Sequence, residues 1–177
     1  MKRIRLTQGY FAQVSDEDYD DVCRYKWHAK TNKYTAYAAR REKGTGPQRK
    51  CIYLHRYLLK VKPGEMVDHK DGNGLNNTRE NIRIATNSQN GMNRRLKSPG
   101  KSSRYKGVSW GKMQGSWLAH IMKNNKTRHL GSFSTQEDAA RAYNKAAIEL
   151  FGEFACLNVV ESDESFDWQA YFRVDNI

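Results

Sequence analysis

Hydrophobic positions in this chain of 177 residues fall in short alternating runs separated by turns rich in Gly and Asn, with one long helical stretch near the end. Alternation over residues 3–14, interrupted at Thr7-Gln8-Gly9, predicts a hairpin. Ser15-Asp16-Glu17-Asp18 marks a helix start, with Tyr19, Val22 and Cys23 on one face and Trp27 closing a small core. Residues 34–38 and 50–54 alternate as strands around a basic loop carrying Arg40, Arg41, Lys43, Arg49 and Lys50, and residues 55–60 follow as a helix. A short apolar run then ends at Asp68-His69. A polar loop separates it from the alternation Asn81-Ile82-Arg83-Ile84-Ala85, and Thr86-Asn87-Ser88-Gln89 has capping-box spacing for another helix.

From Ser103 the pattern changes. Strands are predicted over 105–110, 115–122 and 128–133, and Ser134-Thr135-Gln136-Glu137 reads as a capping box. The helix that follows runs through Phe151 with Ala139, Ala140, Tyr143, Ala146, Ala147 and Leu150 on its buried stripe, and Gly152 stops it. Alternation turns Trp117, Ala119 and Ile121 toward this helix and Leu118, His120 and Met122 outward. The expected class is α+β. The expected parts are a module over 1–95, a basic linker over 96–103 with Ser98-Pro99-Gly100, a sheet-plus-helix domain over 104–158 and a tail over 159–177.

Charge narrows the function. The formal net charge is +12, the footprint of a polyanion binder. Between Asn81 and Gln136 there is no Asp or Glu, while Arg83, Arg94, Arg95, Lys97, Lys101, Arg104, Lys106, Lys112, Lys123, Lys126 and Arg128 all fall there. Such a one-sign field repels itself until phosphates neutralise it, so the expected partner is double-stranded DNA. The tail reverses sign, with Glu161, Asp163, Glu164, Asp167 and Asp175 against Arg173. Its Phe166, Trp168, Tyr171 and Phe172 could fold it back onto the protein or let it shield the basic face. No apolar run approaches the roughly 20 residues of a membrane span, and Met1-Lys2-Arg3-Ile4-Arg5 lacks a signal-peptide core. Cys23, Cys51 and Cys156 are odd in number and form no C-x-x-C pair, so they are expected as small buried residues in a reducing cell.

The chemistry concentrates at Asp68-His69, with Asn81 and Asn90 downstream. Asp68 and a helical Asn90 could hold one hard divalent ion through oxygen, and an imidazole with pKa near 6.5 can take a proton from water. Strand neighbours point to opposite faces, so Asp68 and His69 serve one phosphate only at a twisted strand end. The turn Asp71-Gly72-Asn73-Gly74 makes such an end plausible.

These motifs, with Leu54-His55-Arg56 upstream and Asn81-Ile82-Arg83-Ile84-Ala85-Thr86 downstream, resemble the HNH endonuclease family over about residues 50–95, in particular its homing branch of phages and mobile elements. The resemblance implies a ββα-metal (His-Me finger) core at 50–95 behind an N-terminal elaboration at 1–49, in a bacterial or phage-infected cytoplasm. It implies Asp68 as first metal ligand, His69 as general base, Asn81 as buttress of the His-bearing strand and Asn90 as second ligand where many members have His. One Mg²⁺ or Mn²⁺ per site follows. Residues 103–158, through Tyr105-Lys106-Gly107-Val108, Leu130-Gly131-Ser132-Phe133, Ala139-Ala140-Arg141-Ala142-Tyr143 and Leu157-Asn158, resemble the apetala-type DNA-binding domain of plant ethylene-response factors, whose sheet lies in the major groove. Arginines common on that sheet are Ser109, Met122 and Thr127 here, so plant-like sequence preference is not implied. The DNA contacts expected are His55 (alternatively a structural His), Arg83, Arg94 and Arg95, then Lys106, Trp110, Lys112, His120, Lys123, Lys126, Arg128 and His129. Trp117 is expected in the core. Together these readings imply a site-directed DNA endonuclease, a monomer that nicks unless it dimerises; the alternative is a DNA-binding regulator with an inactive nuclease fold.

Overall fold

The computed structural model describes residues 1–32, 35–42, 50–95 and 102–160. Lys43, Arg49, Lys97, Lys101, the Ser98-Pro99-Gly100 stop and the acidic tail from Glu161 lie outside the described residues. The chain forms two compact units, Met1–Asn93 and Arg94–Ile177, and its mixed α and β content matches the expected class.

In the first unit β1 (Lys2–Arg5) and β2 (Phe11–Val14) form the expected hairpin. Its turn is tight because Gln8 and Gly9 both take positive φ, 61° and 76°. Helix α1 (Tyr19–Cys23) follows, and then an antiparallel sheet of β3 (His28–Thr31), β4 (Ala36–Arg41) and β5 (Cys51–Tyr53). Helix α2 (Leu54–Leu58) leads to β6 (Met66–His69). The polar loop contains β7 (Asn76–Asn77), which lies parallel to β2; two polar residues gave no alternation from which to foresee it. Strand β8 (Ile82–Ala85) returns antiparallel to β6, and α3 (Asn87–Met92) completes a hairpin-plus-helix. One core serves the whole unit: Val14, Val22, Trp27 and Ala38 pack with Leu54, Leu58 and Ile82. Residues 1–49 therefore share their core with the later hairpin, and burying each large side chain stabilises by roughly 1.5–3 kcal/mol.

Two expectations fail here. Arg40 and Arg41 belong to β4 and not to a loop, and the Arg40 guanidinium lies 4.2 Å over the Tyr25 ring, with Trp27 and Tyr57 beside it. No cysteine is buried: Cys23 ends the short α1 facing solvent, and Cys51 and Cys156 are half-buried.

In the second unit β9 (Val108–Gly111), β10 (Ser116–Lys123) and β11 (Lys126–Phe133) form an antiparallel sheet in the order β11-β10-β9. Helix α4 (Gln136–Phe151) packs on it through Ala139, Ala140, Tyr143 and Ala147, which lets Ala119 and Ile121 of β10 be buried. The cap is Thr135 and not Ser134: its Oγ1 accepts the Asp138 N–H at 3.1 Å, one residue later than expected. Gly152 ends the helix at φ 52°. Leu150 is only half-buried, whereas Asn144 is wholly buried. The Asn144 amide bonds both backbone groups of Asn158, at 2.8 and 2.9 Å, and the Asn158 amide does the same to Lys106, at 2.7 and 3.0 Å. The segment after the helix is thus stitched to the start of the sheet.

Gly107 takes φ 75°, and a Cβ there would lie 2.1 Å from the Tyr143 ring. Gly107→Ala should therefore destabilise the C-terminal unit by about 2–4 kcal/mol. Hydrogen exchange on the full chain should show faster exchange in β9–β11 and α4 with the first unit unchanged; unaltered protection there would refute the close-packing account.

Candidate active site

The site forms where β6 ends. Asp68 lies across from Arg83 and His69 across from Ile82, and the two neighbours keep the opposite orientations that a strand dictates. On one side the Asp68 carboxylate, 5 % exposed, accepts from Arg83 Nε at 3.0 Å and Nη2 at 2.8 Å. The same carboxylate accepts from the Asn93 amide, whose Nδ2 lies 3.0 Å from each oxygen. That nitrogen also reaches the carbonyl oxygens of His69 at 2.9 Å and Lys70 at 3.3 Å. On the other side the His69 ring meets His55 edge-on, with centroids 5.1 Å apart, and Tyr37 at 6.0 Å.

Asn81 fixes the loop between the strands. Its Nδ2 donates to Asp71 Oδ1 at 2.9 Å and to the Asn76 carbonyl at 2.7 Å, and its Oδ1 accepts the Asp71 N–H at 3.1 Å. Its own carbonyl accepts the Lys70 N–H at 2.9 Å. Asp71 also accepts from the Asn73 N–H and the Asn76 amide, both at 2.8 Å. Burial pushes the Asp71 carboxyl up, but the bonds from Asn76, Asn73 and Asn81 outweigh it and hold it below its ordinary value. Gly74 carries no side chain because a Cβ would sit 2.6 Å from Ala36 O and the Tyr37 ring. The loop is thereby pressed against β4.

Both imidazoles are deeply placed, with His69 7 % and His55 9 % exposed. His69 Nε2 and His55 Nδ1 are buried without a hydrogen-bond partner, as is Asn77 Oδ1. Burial pushes the His55 pKa down to about 3, helped by the nearby His69 and Arg56. Burial also lowers that of His69, against an opposing pull from Asn77, Asp71 and Asp68. Among the described residues no three His, Cys, Asp or Glu side chains are grouped to hold a metal ion. Oxygens do converge there: both of Asp68 and the carbonyls of His69 and Lys70 point at the Asn93 amide nitrogen, just after α3.

The residues expected from sequence divide as follows. Asn90 lies half-buried in α3, three residues before Asn93 and so on the same helix face. Asn93, which meets Asp68 directly, was missed. The signal was the Asn90-x-x-Asn93 spacing, which repeats an amide at a helical interval. Arg83, expected on DNA, has a side chain only 10 % exposed and pairs with Asp68. His55, also expected on DNA, lies inside the site because Tyr53 stacks on it at 5.5 Å and Tyr37 closes its edge at 5.6 Å. Arg94 and Arg95 are exposed.

In the second unit Ser109, Leu118 and Ser132 align across the three strands on the face away from α4. A register break after Ala119 sets His120 opposite His129, with Met122 opposite Thr127. Trp110 corrects an expectation: it pairs with Trp117, which packs into the core, so both stand on the helix side, ring centroids 5.2 Å apart. Lys123 is likewise not directed to the outer face, since its Nζ donates to the Leu150 carbonyl at the end of α4, at 2.9 Å. Lys106 is half-buried, and burial pushes its ammonium pKa down. Lys112, Lys126, Arg128 and His129 are exposed.

Residues 60–92 match the HNH endonuclease family and residues 103–153 match the AP2 domain. The uncharacterized HNH endonuclease L560 of Acanthamoeba polyphaga mimivirus is 35 % identical over 154 residues, covering 87 % of this chain and 78 % of that protein. Protein 3.8 of Escherichia phage T7 is 33 % identical over 96 residues, 54 % of this chain and 77 % of its own. The AP2-like ethylene-responsive transcription factor TOE2 of Arabidopsis thaliana is 42 % identical over 67 residues, 38 % of this chain but only 14 % of that factor.

A buried neutral imidazole makes stability depend on pH with a definite sign. As pH falls below about 6.5 the unfolded chain takes up a proton at residue 55 before the folded chain does. The contribution of neutral His55 is thus full above about 6.5 and is lost as pH falls toward about 3. Between pH 6.5 and 4 the unfolding free energy of the wild type, measured by denaturant titration, should fall by more than that of His55→Phe, with a difference on the order of 1–3 kcal/mol. Parallel pH profiles would mean that the ring is solvated in the folded protein.

Proposed function

This chain belongs to the HNH endonuclease family, and from that premise we propose that it is a site-directed DNA endonuclease of the homing type, in which His69 takes the proton of the attacking water. The observation that carries this reading is the convergence of Asp68 Oδ1, Asp68 Oδ2, His69 O and Lys70 O on the Asn93 amide nitrogen. An amide NH₂ has two hydrogens and cannot satisfy four acceptors. Two charged and two neutral oxygens aimed at one point fit a hard cation. Rotation of the Asn93 amide would turn its own oxygen there, and Asn90 on the same face could add another.

Asp68, Asn90 and Asn93 are accordingly the residues that would hold one Mg²⁺ or Mn²⁺. Bound there, the ion would neutralise phosphate charge and stabilise the departing sugar oxygen. His69 supplies the base from the opposite side of β6, so the phosphate would lie across the strand end to meet both it and the ion. Its Nε2 is wholly buried, so the nitrogen left to accept a proton from water is Nδ1. Its lowered pKa keeps it neutral near neutral pH, as a base must be. As the water oxygen bonds to phosphorus and the bond to the sugar oxygen breaks, the water proton passes to His69. Asn81 contributes by holding the loop that follows His69.

The AP2 unit would hold duplex DNA, with the His120–His129 pair on the outer sheet face and Lys112 at a strand end as its contacts; Lys126 and Arg128 pair with Lys123 and Ile121 and so stand on the helix side, where they could reach only flanking phosphates. Arg94 and Arg95 would meet phosphates. One site per chain cuts one strand per engagement, so a monomer nicks. A regulator with an inactive nuclease fold is the second reading, favoured by the Arg83 guanidinium that already neutralises Asp68.

Supercoiled plasmid incubated with Mg²⁺ should become nicked and should stay intact with chelator. His69→Ala should slow nicking by about 10²–10⁴-fold while DNA affinity stays within about twofold. Metal-dependent nicking that survives this substitution places the base elsewhere. A wild-type chain that binds DNA yet cuts with neither Mg²⁺ nor Mn²⁺ leaves the regulator reading standing.

A further inference from the structure

Beside His69 lies a second imidazole that the reaction outlined above does not use. His55 lies in the first turn of α2, just after β5, and is clamped between Tyr53, stacked at 5.5 Å and 23°, and Tyr37 at 5.6 Å. Its Nδ1 is fully buried and unpartnered. So are two further atoms, His69 Nε2 and Asn77 Oδ1. Each orphaned polar atom costs about 1–3 kcal/mol in a folded protein, so three in contacting residues imply a shared purpose. DNA cannot be their partner, because none of the three atoms is open to solvent.

We propose that His55 is a positioning residue: its Nδ1, together with Asn77 Oδ1, meets the inward edge of His69 and fixes the tautomer that leaves His69 Nδ1 free to take a proton. This rests on the reading of His69 as the general base. The geometry suits it. The two rings meet edge-on at 85° with centroids 5.1 Å apart, and an N–H···N bond of about 3 Å between imidazoles places ring centres roughly 5 Å apart. Asn77 is fully buried, and its amide favours a proton on the His69 ring. Its Nδ2 faces the Gly74 carbonyl at 3.5 Å, which leaves Oδ1 as the atom to offer. A carbonyl oxygen can only accept, and a neutral His55 can present the Nδ1 lone pair as a second acceptor. Two acceptors at the inner edge require His69 Nε2 to carry the hydrogen. The Nδ1 lone pair then points away from the protein core. These atoms do not bond one another in the structure, so the linkage would form across one shared water or on a small turn of either ring, and in either case it selects the same tautomer.

The test is nitrogen NMR of the His69 imidazole in the full chain, for the wild type and three variants. His55→Phe keeps the ring shape and removes the nitrogens. His55→Asn restores a polar atom at the Nδ1 place, and His55→Gln puts it one bond too far. The wild type and His55→Asn should show one neutral tautomer with hydrogen on Nε2, and His55→Phe and His55→Gln a mixture. If His55→Phe fails to fold, the contrast between Asn and Gln decides. The same tautomer in every folded variant, or hydrogen on Nδ1 in the wild type, overturns the proposal. Single-turnover nicking with Mg²⁺ should be about 10–100-fold slower in His55→Phe than in wild type, at unchanged DNA affinity, and recovered in His55→Asn. Slower nicking that Asn and Gln relieve equally would reduce His55 to a packing role and overturn it too. A wild type that never nicks but keeps the fixed tautomer sinks the nuclease reading and leaves the orienting contact in place.

Discussion

The Asp71–Asn81 contact is the interaction on which the nuclease unit depends. Residues 70–81 form a polar loop that has no apolar core of its own to order it. The loop is closed by reciprocal bonds between the Asn81 amide and Asp71, by the Asn81 amide on the Asn76 carbonyl, and by the pairing of β7 with β2. Because Asn81 immediately precedes β8, the same residue that closes the loop sets the register of Asp68 against Arg83 and His69 against Ile82. Arg79 extends the closure to the N-terminal part of the chain, with a bidentate pair to Asp18 at 2.8 and 2.6 Å and its N–H on Ser15 Oγ at 2.9 Å. The first residues of the chain and the site are therefore one folding problem.

That dependence explains what could be read from sequence and what could not. The hairpin at 3–14, the hairpin-plus-helix at 66–92 and the sheet with its helix at 108–151 were legible because each has strong periodicity or a cap. The capping box at Thr86 and Gln89 forms as its spacing predicts. Asp68 and His69 stood out as a pair and Asn81 as a buttress of the His-bearing strand, but its closing of the 70–81 loop was not foreseen. Long-range partners were not legible. Arg40 looked like a loop cation and instead fills a space between Tyr25, Trp27 and Tyr57. Arg83 looked like a phosphate contact, but its cross-strand position puts it on Asp68. Trp110 looked like a reading residue until strand pairing placed it beside Trp117. Each error assigned a function from residue type alone, where the side of the strand decides.

Arg83 and Asn93 also bear on how a buried acid stays charged. Asp68 is almost without solvent, and a carboxylate so placed is costly unless paired. The guanidinium compensates its charge, and the Asn93 amide binds both its oxygens. A dication drawn to this cluster would have to share the acid with Arg83 or turn it away. Turned away, the guanidinium would lie nearer the reacting phosphate, where a fixed positive charge is useful. One residue would thus stabilise the carboxylate before the ion arrives and the phosphate after it.

The second unit divides affinity from discrimination in a comparable way. Its outward sheet face carries Ser109, Leu118, His120, Met122, Thr127 and Ser132, so no Lys or Arg stands among these cross-strand positions. Met122 is 63 % exposed there, a large apolar side chain with no core to join. The basic residues Lys112 and Lys126 lie at the strand ends and Arg128 on β11. Cations suit phosphates, whose contacts position a protein without reading sequence. Base discrimination on such a face would fall to methyl contacts and to the two imidazoles, which carry less information than bidentate guanidinium bonds to guanine. For the proposed endonuclease, a weakly discriminating grip would make the fit of the nuclease loop to the duplex a further determinant of where the chain cuts.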